Sequence, residues 1–344
     1  MKKKGKIIVM SMLALFISIF SCTTETDEES TVGNWSKTTP LKGRQRSGAV
    51  SFTIGDKAYV GLGYDGDDYL SDFYVYDVNL GFWESLGDFP GEMREQAVAF
   101  SINGKGYMGL GLNKDLDKEE LKDFWEYDPE TDQWTPVADF EGTARYRAIG
   151  FSIGDVGYVG TGYDGDNHNS DFWKYNPEED SWDEIVGYPG DKIESGFGFV
   201  IDGKAYIGGG ISNDSYSIDF WEFTPAADGS SVSWTRRTPS DDESYYDEFR
   251  LAVYRYDAVA ITAGTKAYVV GGVSSSGAVT KDVYEFDATT FSWDQLTSYE
   301  GSARSLAVGF VLNDRIFVGT GQNGSSKYDN FWEFKPNEEY DEEY

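Results

Sequence analysis

Residues 123–134 read DFWEYDPETDQW, and the same frame returns at Asp72, Asp171, Asp219, Asp282 and Asn330, each followed by two bulky residues. Six spaced copies make the pattern a structural period first, because a repeat accounts for a local motif before any chemistry need be invoked. In the quoted copy Trp125 stands two residues before Tyr127, the alternation of a strand with one buried face. The tryptophan that closes the stretch, Trp134, recurs as Trp83, Trp182, Trp234 and Trp293 and marks a further strand.

Upstream of each copy lies a glycine signal, at 61–63, 109–111, 160–162, 208–210, 270–272 and 319–321. Ahead of that, a small residue and an aromatic are separated by a constant ten positions, as in Ala49 to Tyr59, Ala148 to Tyr158 and Ala307 to Phe317. Between them sit turn dipeptides such as Gly55-Asp56, Asn103-Gly104 and Asp202-Gly203, which predict hairpins. Each unit therefore holds four strands. The bookkeeping fails only at the ends: Trp35 has no strands before it, and Phe331-Trp332 has no tryptophan after it. An N-terminal strand that completes the last unit resolves both, and predicts an all-β, closed, six-bladed β-propeller without a long exposed sheet edge.

The order of hairpin, paired glycines, Asp-aromatic-x-Tyr-Asp-Pro and tryptophan resembles the kelch repeat, and the resemblance covers residues 34–336. It implies the propeller fold. Kelch-type galactose oxidases hold copper with histidines and a tyrosine crosslinked to cysteine, whereas this chain has one histidine, His168, and one cysteine, Cys22. The sequence thus excludes a copper-radical oxidase, and zinc sites built on His or Cys with it. No cofactor or metal is expected.

Four lysines ahead of the uncharged run 7–20 have the layout of a secretory signal, too short for a confident span. Ser21-Cys22 resembles a bacterial lipobox. The expected organisation is a lipoprotein signal peptide at 1–21, lipidation of Cys22, an acidic tether at 22–33, the propeller at 34–336 and an acidic tail at 337–344. By resemblance to Gram-negative lipoproteins, the acidic tether implies an outer-membrane anchor facing the cell exterior. The net charge of −31 becomes −35 once residues 1–21, with four lysines and no acid, are removed. Such a surface repels nucleic acid.

Two sets of residues are left over from the period. Arg46, Arg94, Arg145, Arg255 and Arg304 hold one register, three residues ahead of the first strand, with Ile193 in the fourth unit. They are expected near the axis, where they either pair with loop carboxylates such as Glu95, Glu141, Glu194 and Glu300 or bind an anion. If they bind, alanine at Arg94 and Arg145 should abolish ligand binding without unfolding the chain. The second set is loop residues: Tyr64 and Asp65 in YDGD (64–67), Tyr163 and Asp164 in YDGDNH (163–168), and Tyr245 and Tyr246 in a ten-residue insertion after Trp234. The EF-hand pattern fails in the YDGD loops, since the twelfth place is Tyr76 or Tyr175 rather than glutamate. Asp72 and its equivalents are expected to cap loop amides.

These readings predict a non-catalytic binding propeller whose arginine and tyrosine face takes an anionic or carbohydrate ligand, or a protein partner. The enzyme alternative is a sialic acid epimerase or mutarotase, an activity known on kelch propellers, with arginines on a sugar carboxylate and Glu194 as acid or base. A structural role in an outer-membrane assembly is the third class.

Overall fold

A computed structural model of the chain describes residues 32–226, 229–240 and 243–341. The signal segment, Cys22 and nearly all of the expected tether lie outside them. Six four-stranded antiparallel sheets follow one another around an axis. The first blade comprises Val50–Ile54, Lys57–Gly61, Phe73–Asp77 and Phe82–Ser85, the second Val98–Ile102, Lys105–Gly109, Phe124–Asp128 and Gln133–Val137. The third runs through Ile149–Ile153, Val156–Gly160, Phe172–Asn176 and Ser181–Ile185, the fourth through Phe197–Ile201, Lys204–Gly208, Phe220–Pro225 and Val232–Arg236. The fifth has Val259–Ala263, Lys266–Val270, Val283–Asp287 and Ser292–Leu296. In the sixth, Val308–Leu312, Arg315–Gly319 and Phe331–Glu339 are completed by the N-terminal strand Val32–Thr38, as the tryptophan count predicts. That strand starts two residues before the expected boundary, and its partner continues to Glu339, so both ends of the propeller reach further than the repeat alone indicates.

The glycine signal has a packing cause. Gly61, Gly109, Gly160, Gly208 and Gly319 each lie across the ladder from a phenylalanine, Phe73, Phe124, Phe172, Phe220 and Phe331. A Cβ on Gly160 would come within 2.1 Å of the Phe172 ring. The fifth blade breaks both halves of the rule at once, with Val270 opposite Val283. The volume of a lost aromatic is there taken up by the extra methyl groups, which keeps the interior close-packed.

The core sits between blades. Trp134 of the second blade meets Phe73 of the first at 5.0 Å, Trp182 meets Phe124 at 4.9 Å, Trp234 meets Phe172 at 5.3 Å and Trp293 meets Phe220 at 5.5 Å. Around the closure, Trp83 reaches back to Phe331 at 5.0 Å. Trp35, fully buried, packs beside Val283 and against Tyr299 at 4.7 Å and Phe334 at 4.4 Å.

Two closed circuits of backbone hydrogen bonds tie the blades near the axis. The last glycine of each signal donates to the residue of the arginine register in the next blade: Gly63 to Arg94, Gly111 to Arg145, Gly162 to Ile193, Gly210 to Arg255, Gly272 to Arg304 and Gly321 to Arg46. Gly162 needs its φ of +90° for this, and a Cβ would lie 2.8 Å from the Tyr146 carbonyl. Inside that circuit, Gly48, Gln96, Arg147, Ser195, Asp257 and Leu306 each accept the N–H of the next in order, and the Leu306 carbonyl closes the loop on Gly48, over 2.7–3.1 Å. All six have φ between +51° and +61°.

Candidate functional site at the axial mouth

The five arginines of the register do not face the mouth. Each is buried to 1% exposure or less. Arg46 donates to both carboxylate oxygens of Asp72 at 2.6 and 2.8 Å, Arg94 to those of Asp123 at 2.6 and 2.8 Å, and Arg145 to those of Asp171 at 2.6 and 2.9 Å. Arg255 lies 3.5 Å from Asp282, and Arg304 donates to the Asn330 side-chain carbonyl at 2.8 Å. The remaining guanidinium N–H groups meet main-chain carbonyls, Leu62, Leu110, Thr161, Gly271 and Thr320 among them. The arginines thus pair with loop carboxylates, as one of the two expected alternatives has it, but with aspartates rather than the glutamates named for it. Asp72, Asp123 and Asp171 chiefly hold arginine, and Tyr74 O–H or the indole N–H of Trp125 and Trp173, with a backbone N–H only as a lesser partner. Arg46, Arg94 and Arg145 are held in bidentate, desolvated framework contacts, and Arg255 and Arg304 are buried beside Asp282 and Asn330, so the five are engaged in the framework. Glu95, Glu141, Glu194 and Glu300 are not their partners.

In the fourth blade Ile193 replaces the arginine, and Asp219 instead accepts the Asp191 N–H at 3.0 Å and lies 3.6 Å from Arg236.

Burial pushes the carboxyls of Asp72, Asp123 and Asp171 up, but the arginine hydrogen bonds and charge more than offset it and hold all three below the ordinary range. Because the folded-state values lie below that of unfolded aspartate, about 3.9, the stabilisation is complete at neutral pH and is lost as pH falls through the lowered values. Thermal melts between pH 6 and 2 should therefore show a steep loss of stability below about pH 4. Asp123→Asn should flatten that slope.

The first aspartates of the YDGD loops are likewise engaged, within loops whose tips are exposed. Asp65 Oδ1 accepts the N–H groups of Asp67 and Asp68 at 2.8 and 2.7 Å, and its other oxygen pairs with Arg44. Asp164 Oδ1 accepts those of Asp166 and Asn167 at 3.1 and 2.7 Å. Both acids build their own turns. Tyr64 and Tyr163 do reach the mouth, through backbone bridges to Ser47 and Tyr146.

The insertion forms a helix, Tyr246–Val253, with Phe249, Ala252 and Val253 buried against the fourth and fifth blades. Tyr245 precedes its first turn beside Glu243, and Tyr246 packs toward Phe249, so neither is carried to the axis. The tyrosine that the insertion does deliver is Tyr254, whose ring lies tilted 5.2 Å from that of Tyr216.

What surrounds the axis is the inner circuit itself. With their backbone groups engaged by one another, Gln96, Arg147, Ser195 and Asp257 line a cavity of about 190 Å³ together with Gly48, Leu306 and the small residues that follow them. Arg147 Nε donates to Gln96 Oε1 at 2.7 Å, and Nη1 lies 3.5 Å from Glu194 Oε2. The other Glu194 oxygen is 3.6 Å from His168 Nε2, so a polar chain runs from the rim through Glu194 and Arg147 to Gln96. Glu95, 9% exposed, lies back over Gly48, where a Cβ would sit 2.9 Å from its Oε2. Burial raises the carboxyls of Glu95 and Asp257, with Arg147 and other cations only partly opposing it.

Around these stand Tyr64 against Tyr69 at 4.9 Å, Tyr163 against Tyr146 at 5.9 Å and His168 at 4.9 Å, and Tyr216 against Tyr256 at 5.6 Å. The mouth combines hydrogen-bonding groups at its base with aromatic walls, the make-up of a small-molecule site. The inner-circuit residues escape the sequence reading because attention falls on the conserved-looking arginine two places earlier. Their signal is the opposite one: a position that differs in every repeat while the residue after it is always small.

Fold and motifs together define the class, a six-bladed β-propeller with kelch motifs. The kelch motif matches residues 106–141 and 254–298, within the second and fifth blades. Among solved structures, one titled "Structure of YjhT" aligns with a TM-score of 0.71 over 86% of this chain and 95% of that one, at 15% identity, a likeness of fold. No curated protein matches the sequence.

Proposed function

We propose that the chain is a surface-tethered, non-catalytic binding propeller whose axial mouth takes a carbohydrate ligand. The observation that carries the reading is the inner circuit. Six equivalent positions, all with left-handed backbone, bear Gly, Gln, Arg, Ser, Asp and Leu, so the repeat holds the backbone constant while the side chains vary around one cavity. Non-glycine residues held in that conformation mark sites where the surrounding fold over-determines the geometry. Gln, Ser, Asp, Glu and Arg match sugar hydroxyls, and the tyrosine rings match the apolar face of a sugar ring. The anionic half of the expected ligand class loses its main support, since the five register arginines are spent.

The strand directions support a tethered presentation. Thr38 pairs with Phe331, next to the Asn330 that meets Arg304, whereas Val32 pairs with Glu339 at the far end of the blade. The chain therefore enters the propeller on the face opposite the mouth. Ten residues separate Cys22 from Val32, a reach of at most about 36 Å, so a lipid on Cys22 leaves the mouth pointing away from the outer membrane. A protein partner would meet the same face.

A glycan array probed with the full chain tests the reading. Specific binders are expected, with affinity reduced at least about tenfold by Arg147→Ala. No binder, or binding indifferent to that change, would count against it. An epimerase or mutarotase is the second reading, favoured by the raised Glu95 and Asp257 carboxyls beside Arg147, and turnover of a bound sugar would establish it.

A further inference from the structure

Several carboxylates on the mouth face of this propeller are met by cations. Asp72, Asp123 and Asp171 hold arginine, Asp65 holds Arg44 and Glu194 lies beside Arg147. Glu95 and Asp257 are the two at the axis without one: among the described residues neither has a lysine or arginine nitrogen within ion-pair distance, although the charge of Arg147 acts on both. Glu95 meets the Gln96 side chain, and Asp257 faces Ser195. Ser195 Oγ, in a residue 6% exposed that lines the cavity, lies outside hydrogen-bonding geometry to that carboxyl and has no other partner.

The arrangement around the axis gives these groups a direction. In a six-bladed ring Arg147 of the third blade stands opposite Leu306 of the sixth, and Ser195 of the fourth opposite Gly48 of the first. The half of the cavity formed by Leu306, Ala307, Gly48 and Ala49 has no side chain able to donate or accept. Glu95 flanks that half by lying over Gly48, and Asp257 flanks it from the fifth blade. It lies across the ring from Arg147, which donates to Gln96 and lies 3.5 Å from Glu194, and whose charge also acts on Asp257 and Glu95. Lys327, whose charge also acts on Glu95, donates to Gln322 and lies over the Tyr64 ring at 5.6 Å. Arg147 lies over Tyr146 at 5.7 Å, so the tyrosine walls already stack on cations.

We propose that the mouth takes a sugar bearing a protonated primary amine, its ammonium seated between Glu95 and Asp257 on the Leu306 and Gly48 side and donating to both, with Ser195 Oγ on a neighbouring hydroxyl. This rests on the carbohydrate reading and narrows it to amino sugars. Desolvated carboxylates without a close cation are costly, and an ammonium ligand removes that cost on binding.

Calorimetric titration of the full chain at 0.15 M salt, where attraction to the acidic surface at large is screened, compares three probes. These are a glucosamine trimer, its fully N-acetylated counterpart, and lysine amide, which carries the amine without the ring. The glucosamine trimer should bind at least about tenfold tighter than the acetylated trimer, and lysine amide more weakly than the glucosamine trimer. Glu95→Gln and Asp257→Asn, singly and together, should erase that preference; both are near-isosteric, and asparagine suits the positive φ at 257. Far-UV dichroism confirms that each variant is folded. Equal binding of the two trimers, an amine preference unchanged in the variants, or no binding of the amine probes overturns the proposal. If a neutral glycan binds in an Arg147-dependent way while acetylation makes no difference, the carbohydrate reading stands and this narrowing alone falls.

Discussion

Arg94→Ala should destabilise the folded chain by about 3–5 kcal/mol, the usual cost of leaving one member of a buried ion pair without its partner. The substitution strands the Asp123 carboxylate, frees the Leu110 and Glu92 carbonyls, and opens a hole where the guanidinium lies 5.3 Å from the Phe89 ring centre. Arg94 also stands in the outer backbone circuit, accepting from Gly63, so loosening there is felt by the first blade as well. Urea unfolding of wild type, Arg94→Ala and Arg94→Ala with Asp123→Asn measures it. The double variant should recover part of the loss, because the uncompensated charge is gone. A cost below about 1 kcal/mol would place Arg94 with exposed salt bridges and contradict the buried framework role. The outcome is the one the pairing alternative implies; only a ligand-binding ring would let alanine here spare the fold.

Trp35→Ala carries the other large effect, about 3–5 kcal/mol, as for a fully buried tryptophan truncated in a close-packed core. Trp35 stacks on Phe334, meets Tyr299 edge-on and fills the space beside Val283, where the other blades present phenylalanine. Its strand is also the closing element: Trp35 pairs with Phe334 and Thr38 with Phe331. Thermal melting should show one cooperative transition shifted to lower temperature. If the sixth blade closed by other means, the transition would stay in place.

The architecture is legible in the sequence because a propeller repeats its core contacts at fixed spacing. Trp83 and Trp134 announce their strands, and the unmatched Trp35 and Phe331 announce the closure. The glycine signals are legible too, although their partners are not: that Gly109 faces Phe124 is a matter of ladder register. The site is much less legible. Arg46 and Asp72 are 26 residues apart, Arg94 and Asp123 are 29 apart, and the loop lengths between them hide that one set completes the other. The two features look like separate functional candidates until the fold joins them. Around Tyr246 the spacing of Phe249, Ala252 and Val253 is helical, yet the preceding acidic and polar residues read as loop. The mouth residues Gln96, Arg147, Ser195 and Asp257 share no residue type, and only their common place on the axis groups them.

The central claim is that the inner circuit, not the arginine register, meets the ligand. The direct measurement is the affinity of an array-selected glycan for wild type and for Arg147→Ala, with the melting temperature of each recorded. The account predicts a loss of at least about tenfold in affinity with a melting shift of no more than a few degrees. Unchanged affinity in Arg147→Ala would contradict it.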